Sequence, residues 1–153
     1  MKIKLSILIL FIVSISYSQS QIERRDPVNQ NDYTFLLMHD NSSITISKYK
    51  SSTISEISLL LQTDTEICRD YNQITLTLSS GEKINFENAK IYCSTSETNK
   101  HKLIGTIILN KNLYNKLSQT EIKSFELGDV KIPVEFKETG ENLRGLFKFS
   151  EEY

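Results

Sequence analysis

The stretch Gln73-Ile74-Thr75-Leu76-Thr77-Leu78-Ser79-Ser80-Gly81-Glu82-Lys83-Ile84-Asn85-Phe86 decides the fold class. Ile74, Leu76 and Leu78 alternate with Thr75, Thr77 and Ser79, the period of a strand with one buried face. After Ser79-Ser80-Gly81, Ile84 and Phe86 repeat the alternation. A glycine at the third loop position suits a type I turn closed by a G1 bulge, because that position needs φ > 0. The stretch therefore predicts a β-hairpin in which Leu78 faces Glu82, Leu76 faces Ile84 and Ile74 faces Phe86.

Carried outward, that register sets Cys68 opposite Tyr92, one residue short of Cys93. A single bulge within residues 87–90 repairs the offset. Cys68 and Cys93 are the two cysteines of the chain, and behind an export segment a disulfide between them is the default. A closed loop of roughly 25 residues is worth about 3 kcal/mol by chain entropy. Two buried free thiols are the alternative. No metal site is expected, since neither a C-x-x-C nor a histidine pair accompanies them.

Towards the N-terminus, residues 33–38 and 44–49 read as strands joined by turn chemistry over 39–43. With Met38 facing Ile44 and Leu36 facing Ile46, one apolar face forms. Asn41-Ser42-Ser43 is a glycosylation sequon. His39-Asp40 at the loop tip is either half of a site or a pair of solvated turn residues. Residues 51–63 admit two readings. Thr53 and Glu56 have capping-box spacing, with Ile54, Ile57 and Leu61 on a helical face. A strand over 57–62, bounded by Thr63-Asp64, is the reading favoured.

Towards the C-terminus, residues 102–109 carry Leu103, Ile107 and Leu109 on one face and Ile104 and Ile108 on the other, as a central strand does. Gly105 marks a place where another side chain crosses over the strand. Residues 94–101 read as a polar loop. Asn110 caps a short helix through Leu117, with Leu113, Tyr114 and Leu117 inward. Residues 121–127 pair with 130–136 across Gly128-Asp129, Leu127 facing Val130 and Phe125 facing Ile132. Pro133 cannot donate to a ladder and places this strand at an edge. Leu143, Leu146 and Phe147 predict a closing amphipathic helix, with a last strand as the alternative.

Together these elements predict a mainly β (α+β) domain over residues 32–153. It is an antiparallel β-sandwich or partly open barrel of about seven or eight strands, with a short helix and a C-terminal helix.

Residues 1–18 have the form of a secretory signal peptide: Lys2 and Lys4, an apolar run from Leu5 to Ile15 broken by Ser6 and Ser14, then Ser16-Tyr17-Ser18 ahead of a cut before Gln19. An uncleaved membrane anchor is the alternative, but the run is shorter than the roughly 20 residues a bilayer needs. The expected location is secreted or periplasmic. Residues 19–31, which include Arg24-Arg25, read as a disordered lead.

The full chain has 153 residues, 39% apolar and 24% charged, enough for one domain with a real core. Its 18 basic and 19 acidic residues give no basic patch and no electrostatic case for nucleic acid.

Candidate chemistry is sparse. His39 and His101 are the two histidines, both in predicted loops, with no Gly-x-Ser-x-Gly beside a triad. No Gly-rich phosphate loop and no H-E-x-x-H points to a cofactor. Asp64, Glu66 and Asp70 cluster between two predicted strands and suit either paired-carboxylate hydrolysis or a hard cation such as calcium. The competing reading is a solvated acidic loop beside a disulfide. Tryptophan is absent, which removes the usual flat platform for sugars.

The order of elements resembles that of small exported β-rich proteins of the Bacteroidetes type. Ile74 to Ile84, Leu103 to Leu109, and Leu113-x-x-x-Leu117-x-x-x-x-Ile122-Lys123-Ser124-Phe125 carry the resemblance, over about half of the chain. It implies an exported compartment and a β-rich fold and supplies no catalytic residue. Three functional readings follow. The favoured one is a non-catalytic exported module that binds a protein or cell-envelope partner through a sheet face or edge. An inhibitor or immunity-type protein that inserts a loop such as 94–101 is the second. A small hydrolase or calcium-dependent enzyme using Asp64, Glu66 or Asp70 is the third.

Overall fold

The computed structural model describes residues 30–50, 55–95, 100–138, 142–144 and 147. The expected signal peptide, nearly all of the expected lead and most of the expected closing helix fall outside the described residues. Among the described residues nine strands and one complete helix are present: β1 (Gln30–Leu36), β2 (Ser43–Lys50), β3 (Ser55–Thr65), β4 (Gln73–Leu78), β5 (Lys83–Glu87), β6 (Ile91–Thr95), β7 (His101–Ile108), α1 (Lys111–Gln119), β8 (Ile122–Leu127) and β9 (Val130–Pro133). They form two antiparallel sheets, β1-β2-β3-β7-β6 and β5-β4-β8-β9, which make a sandwich that does not close into a barrel.

The deciding hairpin forms as expected. Leu76 pairs with Ile84 and Ile74 with Phe86. The Leu78 amide donates to Glu82 O at 2.8 Å, and Gly81, at φ +86°, donates to Leu78 O at 2.9 Å. The β8–β9 hairpin also keeps its expected register, Leu127 with Val130 and Phe125 with Ile132. β9 is an edge strand, as Pro133 requires. It stops at Pro133 rather than running to Phe136. Beyond it Phe136 bridges Leu37, with Met38 N to Glu135 O at 2.8 Å, so the chain crosses to the margin of the other sheet.

The first hairpin corrects the expected register. Phe35, not Met38, faces Ile44, and Tyr33 faces Ile46. The turn is a tight one: Asp40 and Asn41 both have positive φ, 48° and 47°, and Ser42 N donates to His39 O at 2.8 Å. Two left-handed residues in succession are the type I′ turn, whose twist suits adjoining strands. Beyond the turn Leu37 N donates to Ser42 O while Met38 N turns to Glu135 O, so the pairing lies three residues from the one expected, and an odd shift exchanges the faces. Phe35 and Leu37 are therefore buried, while Leu36 and Met38 are 43% and 63% exposed.

Two further differences concern strands. Residues 55–65 form one long strand, which settles the helix-or-strand choice, and residues 51–54 lie outside the described residues. Residues 91–95 form β6, a strand that was not expected, which raises the count from seven or eight to nine. β6 leaves the β4–β5 hairpin and pairs with β7 in the other sheet. β1 begins at Gln30, inside the expected lead.

The core lies between the sheets. Leu37, Ile44, Ile46, Leu59, Leu61 and Leu103 from one sheet meet Ile74, Leu76, Leu78, Phe125 and Leu127 from the other, all fully buried. Each contributes roughly 1.5–3 kcal/mol relative to an exposed position. β7 is internal to its sheet, and Gly105 lies where side chains of the other sheet press close against it. A Cβ there would fall 2.7 Å from Leu127 Cδ2 and 2.8 Å from Ile74 Cδ1, the crossing expected from the sequence. α1 connects the sheets and closes one end, capped by Asn110, whose Oδ1 accepts from Leu113 N at 2.9 Å, and anchored by buried Leu117. Leu143, Arg144 and Phe147 are helical, and Leu143 and Phe147 are buried. The Phe147 ring meets Tyr114 edge-on with centroids 5.1 Å apart, while Tyr114 Oη donates to Phe147 O at 2.9 Å.

Candidate functional site

The turns β1–β2 and β8–β9, the end of β3 and the loop after it enclose an open cleft of about 790 Å³. Each wall follows from local sequence. Asn41, held left-handed by its turn, donates from Nδ2 to Asp64 Oδ2 at 2.8 Å, and Asp64 N donates to Asp40 O at 3.1 Å. Beneath them Ser42 Oγ donates to Thr63 Oγ1 at 2.8 Å, both side chains fully buried, which fixes the turn on the strand.

The opposite wall is built on Gly128, at φ +63°. A Cβ there would fall 2.0 Å from Tyr71 Cδ1, so only glycine lets the tyrosine ring lie against the turn. Tyr71 Oη donates to Asp129 Oδ1, and Arg69 Nη1 approaches Asp129 Oδ2 at 3.4 Å. The Tyr71 phenol is held above its ordinary 10.0, first by that hydrogen bond, then by burial and by the Asp129 charge, with Arg69 opposing. A phenol that stays protonated is a donor, not a base or nucleophile, at neutral pH. The Arg69–Asp129 pair is 58% exposed on both sides, and such pairs are worth about 0–1 kcal/mol.

Of the acidic residues singled out from sequence, Asp64 and Glu66 line this cleft with Asp40 and Asp129. Asp70 lines a separate depression of about 450 Å³ beside Cys68, Tyr92 and Cys93. The expected trio is therefore divided between two places, because the chain turns between Glu66 and Asp70. His39 is not in the cleft; its Nε2 pairs with Glu135 Oε2 at 3.0 Å on the surface. The tip of the 94–101 loop, residues 96–99, falls outside the described residues. Sequence reasoning missed Arg69, Tyr71 and Asp129 as cleft residues, since the Tyr71–Asp129 contact spans 58 residues and carries no local signature.

The Cys68 and Cys93 sulfurs are at bonding distance, with Cα atoms 5.7 Å apart. The offset expected in the hairpin is repaired at Asn88, which has φ +58°, and Ala89 N then donates to Asn72 O at 2.8 Å. The bridge fastens the loop after β3 to the edge strand β6.

The second candidate surface is the outer face of the five-stranded sheet. Register aligns Leu36, Ser43, Gln62, Ile104 and Tyr92 in one row across all five strands. The next rows are Thr34, Thr45, Leu60 and Thr106, then Asp32, Ser47, Ser58 and Ile108. Asp32 is the only charged side chain in the three rows. Thr34 and Thr45 hydroxyls hydrogen-bond at 2.8 Å, while Leu36, Tyr92 and Ile108 are 43%, 59% and 64% exposed. The outer face of the four-stranded sheet is different: its rows carry Lys83, Glu87, Glu126 and Lys131, the last two paired at 3.4 Å.

Comparison with protein-family models, with curated proteins and with solved structures found no match. Among the described residues no helix is long and apolar enough to cross a membrane.

Proposed function

We propose that this chain is a non-catalytic, exported binding module that docks a cell-envelope protein on the outer face of its five-stranded sheet. The row Leu36–Ser43–Gln62–Ile104–Tyr92 carries the reading. A sheet face on which exposed aliphatic and aromatic side chains stand among short hydroxyls, with its charged groups Asp32, Glu56, Asp64 and Lys102 at the edge strand or in the outermost rows, has the composition of a recognition surface. The opposite sheet carries charges of both signs on its outer face, the ordinary dress of a solvated surface. Export is supported by the form of residues 1–18 and by the Cys68–Cys93 pair.

The hydrolase reading is weaker because Asp64 and Glu66 open to solvent in a wide cleft, apart from Asp70. The experiment is affinity capture from an envelope extract with three versions of the chain. The wild type is expected to retain one protein in fixed ratio, Leu36→Asp/Ile108→Asp to lose it at least tenfold, and Lys131→Glu on the other sheet to keep it. Equal retention by all three, or no protein in fixed ratio with the wild type, defeats the proposal. Both substitutions in the double variant are at exposed positions, so its unfolding midpoint should match the wild type and show that binding alone was lost.

A further inference from the structure

Cys68, Cys93 and His101 are the one group of three metal-ligating side chains brought together among the described residues. One ligand atom from each lies within 4.8 Å of the others. The fold assembles the group from three places. Cys93 faces Leu103 and Thr95 faces His101, so Cys93 and His101 are diagonal neighbours on one face of the β6–β7 pair. Cys68 reaches them from the loop after β3 and is exposed, whereas Cys93 and His101 are half-buried. The imidazole is held as well: Thr95 Oγ1 and His101 Nδ1 are hydrogen-bonded at 3.0 Å. Metal-binding histidines are commonly oriented by such a partner on the ring.

We propose that Cys68, Cys93 and His101 form a redox-gated site for a thiophilic d10 cation of the Zn2+ kind. The site is closed while the sulfurs are bonded to each other and opens when a dithiol reduces them. In the reduction two electrons and two protons pass from the dithiol to the Cys68–Cys93 bond; that bond breaks, and the dithiol leaves as a disulfide. The cation then takes both sulfurs as thiolates, releasing two protons to solvent, together with one imidazole nitrogen, and water completes a tetrahedron.

Zn–S bonds of about 2.3 Å and Zn–N bonds of about 2.0–2.1 Å set the ligand atoms of a tetrahedral site roughly 3.3–3.8 Å apart. The sulfurs must therefore separate, and the exposed loop that carries Cys68 supplies the movement while β6 and β7 hold the other two ligands. Thiolate and imidazole donors select such a cation over calcium or magnesium, which take oxygen. The cation binds the reduced chain alone, so it favours reduction: at ten times its dissociation constant, the reduced-to-oxidised ratio rises about elevenfold.

The test titrates the whole chain with Zn2+ against a chromophoric chelator, without oxygen, before and after reduction by a water-soluble phosphine. The reduced chain is expected to take up one equivalent and the oxidised chain none. Replacing Zn2+ by Co2+ should give a sulfur-to-cobalt charge-transfer band. His101→Ala keeps both sulfurs and the disulfide, and after reduction should bind at least tenfold more weakly. Equal uptake by the oxidised and reduced chains overturns the proposal, as does wild-type affinity in His101→Ala. So does a reduced chain that loses its β circular dichroism and does not regain it when Zn2+ is added.

Discussion

The two sheets bury the same kind of inner face, yet their hairpins are held differently. In the four-stranded sheet Gly81 and Gly128 occupy the left-handed turn positions, at φ +86° and +63°, and both hairpins have the register that their alternation implies. In the five-stranded sheet the β1–β2 turn uses Asp40 and Asn41 for the same conformation, and there the register departs from expectation. Asparagine and aspartate tolerate φ > 0 better than other side chains but occur in many turns. Glycine therefore announces the turn position, and Asp-Asn leaves it open.

The largest effect that tests this contrast is on β1. Leu37→Ala should cost about 2–5 kcal/mol, as for a fully buried leucine, and Leu36→Ala no more than about 0.5 kcal/mol. Urea unfolding of the two variants measures the difference directly. The looser turn would put Leu36 inside and reverse the order.

An intermediate effect compares the turns themselves. Gly128→Ala should lose about 2 kcal/mol, since a Cβ meets both the left-handed backbone and the Tyr71 ring. Asn41→Gly relieves the backbone but surrenders the hydrogen bond to Asp64, and the two changes should cancel to within about 1 kcal/mol. Unfolding midpoints that fall equally in both variants would show that the two turns do not differ in the way described.

The smallest effect is on pH dependence. Tyr71 has its pKa raised by donation to Asp129, so its contribution is complete below the ordinary value of 10.0 and is lost as pH rises through the raised one. Stability should therefore fall more gently in Tyr71→Phe than in the wild type on passing from about pH 9 to about pH 12. Tyrosinate absorbance followed against pH should show one phenol fewer in the late part of the titration. Identical alkaline profiles would mean that the Tyr71–Asp129 contact does not hold the cleft wall in solution.

The fold was legible wherever short-range pattern and turn chemistry agreed. Ile74 to Phe86 and Phe125 to Ile132 declare period, register and turn together. β6 was hidden because Tyr92 and Ser94 face out of an edge strand, Thr95 is exposed at its end, and Ile91 and Cys93 are only half-buried, so no apolar alternation marks it. Of the candidate site, Asp64 and Glu66 were visible as a local acidic pair. Their neighbours Tyr71 and Asp129 were not, because two turns far apart in sequence meet there only after the sheets pack.

By itself the amino-acid sequence determined the β class, the helix after Leu109 and the edge position of Pro133, because each rests on the backbone preference or side-chain chemistry of adjacent residues; it left Cys68 and Cys93 between a disulfide and two free thiols. Tertiary structure alone decided which sheet β6 joins, which face of β1 is buried, and that His101 stands beside the two sulfurs. These depend on contacts between distant strands, and a one-residue difference in register changes them without changing local pattern.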